Sequence, residues 1–438
     1  MKINRLLTNA GWIVLCKGAQ SLIQLAVGML SARYLGPSGY GLVHYAASIV
    51  SFAIPVMQLG MMDTLVQEYV DRPEQESQVF GTAFVMNLLS AMACVIGVTA
   101  FAAVANGGEK TTIVVCALYS TGLIFRSAEM MQRWFEAKLL SKYASIGMLC
   151  AHVVVSVYKV CLLIGGKDVR WFALSHTVEY AVMSVLLLAA YRKKSGRGLA
   201  FSVAMARKLF ARSRHYILPS ILAVTCGSSA SIIMKLMVGE TENGYFSAAV
   251  TCTAVVQFVY YALIDSARPV ILAGKQQDEA QFRRSISGLY CIIVYAALAQ
   301  SAVFTLFSKS IIRFLFGGDY LPAVPVLQIL IWQIAFSYMG AVRNIWILAE
   351  GKDTRLLTIQ FWGAVINISL NLLLIPRCGA CGAAAASLMT QIMMNFVLGF
   401  FLKDIRPNNW LLLAGLAPGS VGQNIRNLLK EHSLERAL

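Results

Sequence analysis

Apolar runs of about twenty residues recur twelve times along this chain, separated by short stretches rich in charge, glycine and proline. A helix must be about that long to cross the hydrocarbon of a bilayer, where each backbone polar group has to be satisfied inside the helix itself. The runs cover residues 10–32, 42–62, 81–104, 111–131, 145–165, 171–191, 217–238, 245–265, 286–307, 326–348, 356–375 and 382–402. The first follows Lys2 and Arg5 as a signal peptide's apolar region would. It is too long for one, contains Lys17 and lacks a small-x-small cleavage pattern before Tyr34, so it is expected to stay as a span.

The widest polar interruption lies at 192–216, between the sixth and seventh runs. It contains eight bases and no acid: Arg192, Lys193, Lys194, Arg197, Arg207, Lys208, Arg212 and Arg214. This predicts an N-terminal lobe of six spans over 1–191, a basic linker over 192–216, a C-terminal lobe of six spans over 217–402 and a tail over 403–438. Two halves of six spans are the usual plan of a transporter. Lys and Arg concentrate in the loops on the side of the N-terminus, which places both termini in the cytoplasm. An echo links the halves: Leu35 to Tyr40 after the first run resembles Val238 to Tyr245 after the seventh, each closing on a Gly-Tyr pair. In the tail, the apolar run at Trp410 to Leu413 is too short to span, and Val421 to Leu434 has the pattern of an amphipathic surface helix.

Composition agrees with this picture. The 438 residues are 58% hydrophobic and only 13% charged, against about 25% charged in soluble chains. That excludes a disordered chain, a disulfide scaffold and an ordinary nucleic-acid-binding domain, despite a formal charge of +16.

Polar residues inside the spans carry the candidate chemistry, since they normally face a cavity or a partner helix. Lys17, Gln20 and Gln24 fall at i, i+3 and i+7, on one helix face. Comparable stripes are His44, Ser48, Ser51, Pro55 and Gln58 in the second run; His152, Ser156 and Lys159 in the fifth; and Ser228, Ser231 and Lys235 in the seventh. The tenth has Gln333, Ser337, Gly340 and Asn344 beside Arg343, and the eleventh has Gln360, Gly363, Asn367 and Asn371. Small and polar stripes also serve helix packing, so each stripe has a structural as well as a functional reading. Arg126, Glu129, Arg133 and Glu136 are spaced for pairing along one helix. Glu179, one turn after His176 and near the middle of its span, is a candidate for coupling to a proton or cation.

Lys17, Lys159, Lys235 and Arg343 outnumber Glu179, so a cavity lined by them would be electropositive and would suit a phosphate-bearing ligand. Amide side chains such as Gln20 and Gln24 supply the donors and acceptors that sugar hydroxyls need. Of the ten cysteines, most lie within spans as small apolar residues, and Cys378 and Cys381 fall in an expected external turn. No nucleotide loop or zinc-protease motif occurs in the sequence, so neither a metal nor a cofactor is expected.

Three strings resemble bacterial polysaccharide-transport flippases of the O-antigen-unit (Wzx) type. These belong to the multidrug/oligosaccharidyl-lipid/polysaccharide (MOP) superfamily. The strings are ARYLGPSGYG at 32–41, FLFGGDYLPAVPVL at 314–327 and LIPRCGACGAA at 374–384, with Cys381 departing from the usual apolar residue. The resemblance implies an all-α, MATE-like membrane protein of about twelve helices, in two six-helix lobes around a central cleft. It also implies alternating access, a non-enzymatic role and transfer of an undecaprenyl-diphosphate-linked oligosaccharide to the outer leaflet of the bacterial cytoplasmic membrane. Lys17 matches the family's diphosphate contacts in span and approximate depth. Implied partners are membrane lipids and the polysaccharide polymerase and chain-length machinery, with no nucleic acid. The alternatives are a cation-coupled multidrug exporter, a flippase for another lipid-linked sugar, and a membrane polymerase or glycosyltransferase.

Overall fold

The computed structural model describes residues 2–195 and 198–416, almost wholly as helix and, among these residues, without strands. In chain order the helices are α1 (Lys2–Gln58), α2 (Leu65–Asp71), α3 (Glu76–Ala105), α4 (Lys110–Ser120), α5 (Gly122–Arg126), α6 (Met130–Ala137), α7 (Ser141–Ile164) and α8 (Val169–Ser195). Then follow α9 (Val203–Ser213), α10 (Ile217–Met237), α11 (Glu240–Gln277), α12 (Glu279–Leu315), α13 (Ala323–Ala349), α14 (Thr354–Ile392), α15 (Leu398–Phe401) and α16 (Arg406–Leu416). Short 3-10 turns join several of them, and a π-helical turn, Met393–Val397, links α14 to α15.

Nine helical stretches among the described residues are long and apolar enough to cross a membrane. Two of them are double. The stretch Cys16–Gln58 breaks at Gly36, and Thr354–Phe401 breaks at Gly379. With the 38-residue α11, the twelve expected spans are accounted for. This is a multi-pass membrane protein of the all-α class.

The loops expected at 34–41 and 376–381 do not form. Gly36 has φ 67° and Gly379 has φ 54°, a region open to glycine at little cost. One such residue redirects a helix, so each pair of spans is joined by a kink where the sequence pattern called for a loop.

Two compact units emerge from the packing, Met1–Ser247 and Ala248–Leu438. In the first, α1 packs against α7 and α10, and α8 packs against α4, α5 and α7. The seventh span thus belongs to the first unit by its contacts. In the second, α13 packs against both α12 and α14. The segment expected to be a tail is partly built into this unit. Helix α16 packs on α12, with Asn408 and Tyr290 hydrogen-bonded at 3.0–3.1 Å and the Ser287 hydroxyl donating to the Leu411 carbonyl at 3.2 Å. Val421 to Leu434 lies outside the described residues.

The basic segment between α8 and α10 is docked on the first unit. Ala200 N–H donates to the Ser77 carbonyl (3.2 Å), Ser202 N–H to the Thr82 hydroxyl (3.1 Å) and the Ser213 hydroxyl to the Leu59 carbonyl (2.8 Å). Arg212 Nη1 meets Glu68 Oε1 at 2.5 Å, and Arg72 reaches the other oxygen of Glu68 at 3.7 Å. Glu68 is fully buried on α2, so its charge depends on these partners. Arg212→Ala should therefore lower stability by about 1–3 kcal/mol, read as a lower melting temperature in detergent. Adding Glu68→Gln should recover much of the loss, because no buried carboxylate is then left with Arg72 alone at 3.7 Å.

Candidate functional site

The two echoing segments found in the sequence lie against each other in the first unit. A β-carbon on Gly41 would fall 1.9 Å from the Glu240 carbonyl oxygen, and one on Gly244 would fall 2.0 Å from the Pro37 carbonyl oxygen. Asn243 Nδ2 donates to the Gly41 carbonyl at 2.7 Å, and the Ser38 hydroxyl to Glu240 Oε1 at 3.1 Å. The absence of side chains at Gly41 and Gly244 brings the two backbones together, which is the usual means of close helix approach in membranes.

Polar and charged side chains collect where the fourth span is irregular. The helix there tightens at Thr121 and again in the 3-10 turn Ser127–Glu129, with helical dihedral angles kept throughout. His176 on α8 presses against the first of these places: a β-carbon on Gly122 would sit 2.4 Å from its Nδ1. His176 Nδ1 lies 2.9 Å from the Tyr119 carbonyl oxygen, its ring stacks on Tyr119 at 4.0 Å, and Thr121 and Thr177 share a hydrogen bond of 2.7 Å. Below it, Arg126 pairs with Glu129 at 2.8 Å and lies over the Tyr180 ring, while Gln58 donates to Glu129 at 3.5 Å. Glu179 accepts from or shares a proton with His152 Nδ1 at 2.8 Å, and Lys159 interacts electrostatically with both Glu179 and His44. Side chains of α8 take up the carbonyls at the tightened turn, His176 at Tyr119 and Thr177 at Leu118, so neither backbone acceptor is left bare there.

The sequence-predicted cations fall into different settings. Lys17 is exposed, Gln24 is exposed and Gln20 half-buried; none of the three side chains has a hydrogen-bond or ion-pair partner among the described residues. Lys142, at the start of α7, lies over the Trp12 ring at 4.7 Å, and a β-carbon on Gly166, just past the end of α7, would sit 3.9 Å from the Tyr34 hydroxyl, so α7 and the first segment of α1 run in the same direction. Lys17 is therefore near the Trp12 end and Lys159 near the Tyr34 end, on the order of 15 Å apart along the axes. One diphosphate cannot bridge them.

Lys235 is neutralised. Its ammonium donates to Glu109 Oε2 at 2.6 Å and to Asn106 Oδ1 at 2.8 Å, beside the Tyr45 ring. The hydrogen bond from Lys235 holds the Glu109 carboxyl below its ordinary range. A lowered carboxyl stabilises the fold above the ordinary carboxylate range and loses that effect as pH falls through its own value. Glu109 is 43% exposed, so Glu109→Gln should cost less than about 1 kcal/mol at neutral pH. The melting difference from wild type should vanish in acid.

Arg343 lies in the second unit, on α13, and is only 4% exposed. It opens onto a cavity of about 200 Å³ lined also by Ser337, Gly340, Asn344, Gln360 and Gln391. The tenth-span stripe is thus a cavity wall, apart from Gln333. The eleventh-span stripe divides. Gln360 reaches this cavity, whereas Asn371 donates to Asn367 (2.9 Å) and Asn367 to the Thr390 hydroxyl (3.2 Å), a ladder that ties the two halves of α14 together. Gly363 admits the Met394 sulfur, a packing role. The pairs Arg126–Glu129 and Arg133–Glu136 form as spaced. Tyr119, Gly122 and Tyr180 had no place in the polar stripes; a Thr-Gly step inside a span was the available signal. All ten cysteines are free thiols, and no metal-ligating cluster occurs among the described residues.

The chain is thus an all-helical membrane protein of about twelve spans, with partly buried charge at a 3-10 turn inside one of them. Structural comparison gives that fold a class. Lipid II flippase MurJ, in an inward-closed conformation, superposes with a TM-score of 0.69 at 14% identity, covering 92% of this chain and 90% of that one. An inward-facing MATE-family multidrug resistance transporter of the MOP superfamily gives 0.65 at 16% identity, covering 90% and 96%. A MOP-superfamily transporter from Pyrococcus furiosus gives 0.63 at 14%, covering 93% and 96%. The fold is that of the MOP superfamily. The chain belongs to the polysaccharide biosynthesis protein family, whose sequence profile matches residues 6–275. A curated relative, an uncharacterized membrane protein of Methanocaldococcus jannaschii, is 22% identical over 251 residues, 54% of this chain; the chain spans about half the length of that relative.

Proposed function

We propose that this protein is a flippase for a lipid-linked oligosaccharide. Its cargo is an undecaprenyl-diphosphate-linked glycan, moved from the inner to the outer leaflet of a bacterial cytoplasmic membrane by alternating access. Both termini are cytoplasmic, no covalent change is made to the cargo, and a polysaccharide polymerase with its chain-length machinery takes up the product. Membership of a polysaccharide biosynthesis family and the MOP fold support this reading, and one neighbour of that fold is itself a lipid II flippase.

The observation that carries it is Lys17. A cation in an apolar helix, one face shared with Gln20 and Gln24 and no carboxylate partner among the described residues, is suited to an anion from outside the protein. Lys235 is paired with Glu109 and Lys159 is within electrostatic reach of Glu179, so their share in binding is secondary. Glu179, paired with His152 close to Lys159, is the group placed to couple proton or cation movement to the cycle. A diphosphate diester carries roughly two negative charges, and each is worth about 2.3 kcal/mol per 100 mV, so outward transfer is downhill in a membrane that is negative inside.

Reconstitution tests the reading. With a fluorescent undecaprenyl-diphosphate oligosaccharide in proteoliposomes, the protein should make the inner-leaflet label accessible to an external quencher. Transfer no faster than in empty vesicles would overturn it, and transfer of organic cations in its place would favour the multidrug exporter.

A further inference from the structure

The Arg343 cavity has the chemistry of a binding site for something the chain does not contain. The guanidinium is more than nine-tenths buried, and among the described residues it has no ion pair. Nη1 donates to the Met394 carbonyl at 2.6 Å and Nη2 to Asn344 Oδ1 at 3.2 Å, while Nε has no partner among the described residues. Two acids of this unit are engaged elsewhere: Glu350 with Lys275, and Asp404 with Arg355. A buried cation without a counter-charge is costly. Arginine in particular remains charged and presents a fork that matches phosphate and carboxylate oxygens.

The rest of the wall is amide and hydroxyl. Asn344, Gln360, Gln391 and Asn395 line the same space as Ser337. Asn395 Nδ2 donates to Gln391 Oε1 at 2.5 Å, which leaves the Gln391 amide nitrogen able to donate onward. The carbonyl that Arg343 grips belongs to the π-helical turn Met393–Val397, an irregularity that recurs at functional sites. A volume of about 200 Å³ is below that of drug-sized pockets and suits one anionic group with a single sugar-sized body.

We propose that the cavity beside Arg343 is an oxyanion subsite of the second unit, taking one phosphate or carboxylate borne on a hydroxyl-rich group. It deepens the lipid-linked glycan reading, since it supplies a grip for an anionic sugar or phosphosugar separate from Lys17. A phospholipid headgroup with free hydroxyls has the same chemistry, and the test separates the two sources.

The full-length protein, purified in an uncharged detergent, is titrated with glucose 1-phosphate, with glucose and with phosphatidylglycerol. Binding is followed by calorimetry and melting temperature. Glucose 1-phosphate should bind and stabilise the protein, with glucose at least tenfold weaker. Arg343→Met should weaken phosphosugar binding by at least tenfold, and Arg343→Lys should fall between. Because the substitution removes an uncompensated buried charge, Arg343→Met without ligand should melt no lower than wild type. Asn344→Ala with Gln391→Ala should lose several-fold in affinity and serves as the deciding variant if Arg343→Met does not fold. Stronger, Arg343-dependent binding of phosphatidylglycerol would assign the oxyanion to lipid. Equal binding by wild type and the variants, or no binding of either phosphate probe, overturns the proposal. Arg343-dependent binding without leaflet transfer would count against the flippase reading alone, and leaflet transfer without Arg343-dependent binding would count against this subsite alone.

Discussion

Gly244→Leu is expected to yield no folded protein. The β-carbon of any residue there meets the Pro37 carbonyl oxygen at 2.0 Å and its carbon at 2.7 Å, both backbone atoms of the neighbouring helical segment. A flexible side chain could move aside, but a helix backbone cannot move without displacing Asn243 from the Gly41 carbonyl and the Ser38–Glu240 contact with it. The cost should exceed about 4 kcal/mol, in the range reserved for gross overpacking or loss of a buried network. Gly41→Leu should behave alike, because its β-carbon meets Glu240 backbone atoms. Size-exclusion profiles and melting of detergent-solubilised protein check this. A Gly244→Leu variant that elutes and melts as wild type would show that the two backbones are not in contact.

Lys17→Ala should leave expression and melting unchanged and reduce leaflet transfer by at least tenfold. Lys17 makes no ion pair among the described residues, so its removal strands no partner and opens no core. A charge-assisted contact to a phosphate is worth about 1.5–3 kcal/mol, which sets the expected loss in rate or affinity. Lys17→Arg should retain part of the activity, and Lys17→Glu should remove it, since repulsion then replaces attraction. The proteoliposome quenching assay reads all three. Wild-type transfer by Lys17→Ala would remove the residue from the site.

Hydropathy located the membrane helices well because the requirement is local: a span must be apolar over about 30 Å whatever surrounds it. It failed at Gly36 and Gly379, where polar and small residues read as loops. A single left-handed glycine turns the chain as effectively as a six-residue loop, and composition does not distinguish the two. The pairs Arg126–Glu129 and Arg133–Glu136 were equally legible, since spacing on one helix fixes which side chains meet.

Stripes on separate helices were harder to interpret. The same amide pattern became a cavity wall at Asn344 and Gln360 but a packing ladder at Asn367 and Asn371. The difference lies in what each face is packed against. Likewise Lys235 looked like a free cation until Glu109, far away in the chain, was found beside it.

The sequence by itself determined the class of protein, the number and order of its spans, the positions of its rare intramembrane charges and the close Gly-Tyr echo. Each follows from interactions within one helix or from the solvent around it. Tertiary structure decided which charges are neutralised, that the described part of the basic segment before the seventh span is docked, and that Arg343 opens onto a cavity with no carboxylate among its described lining residues. Those outcomes depend on partners dozens or hundreds of residues apart, and in a medium that supplies no counter-ions of its own the partner settles what each charge can do.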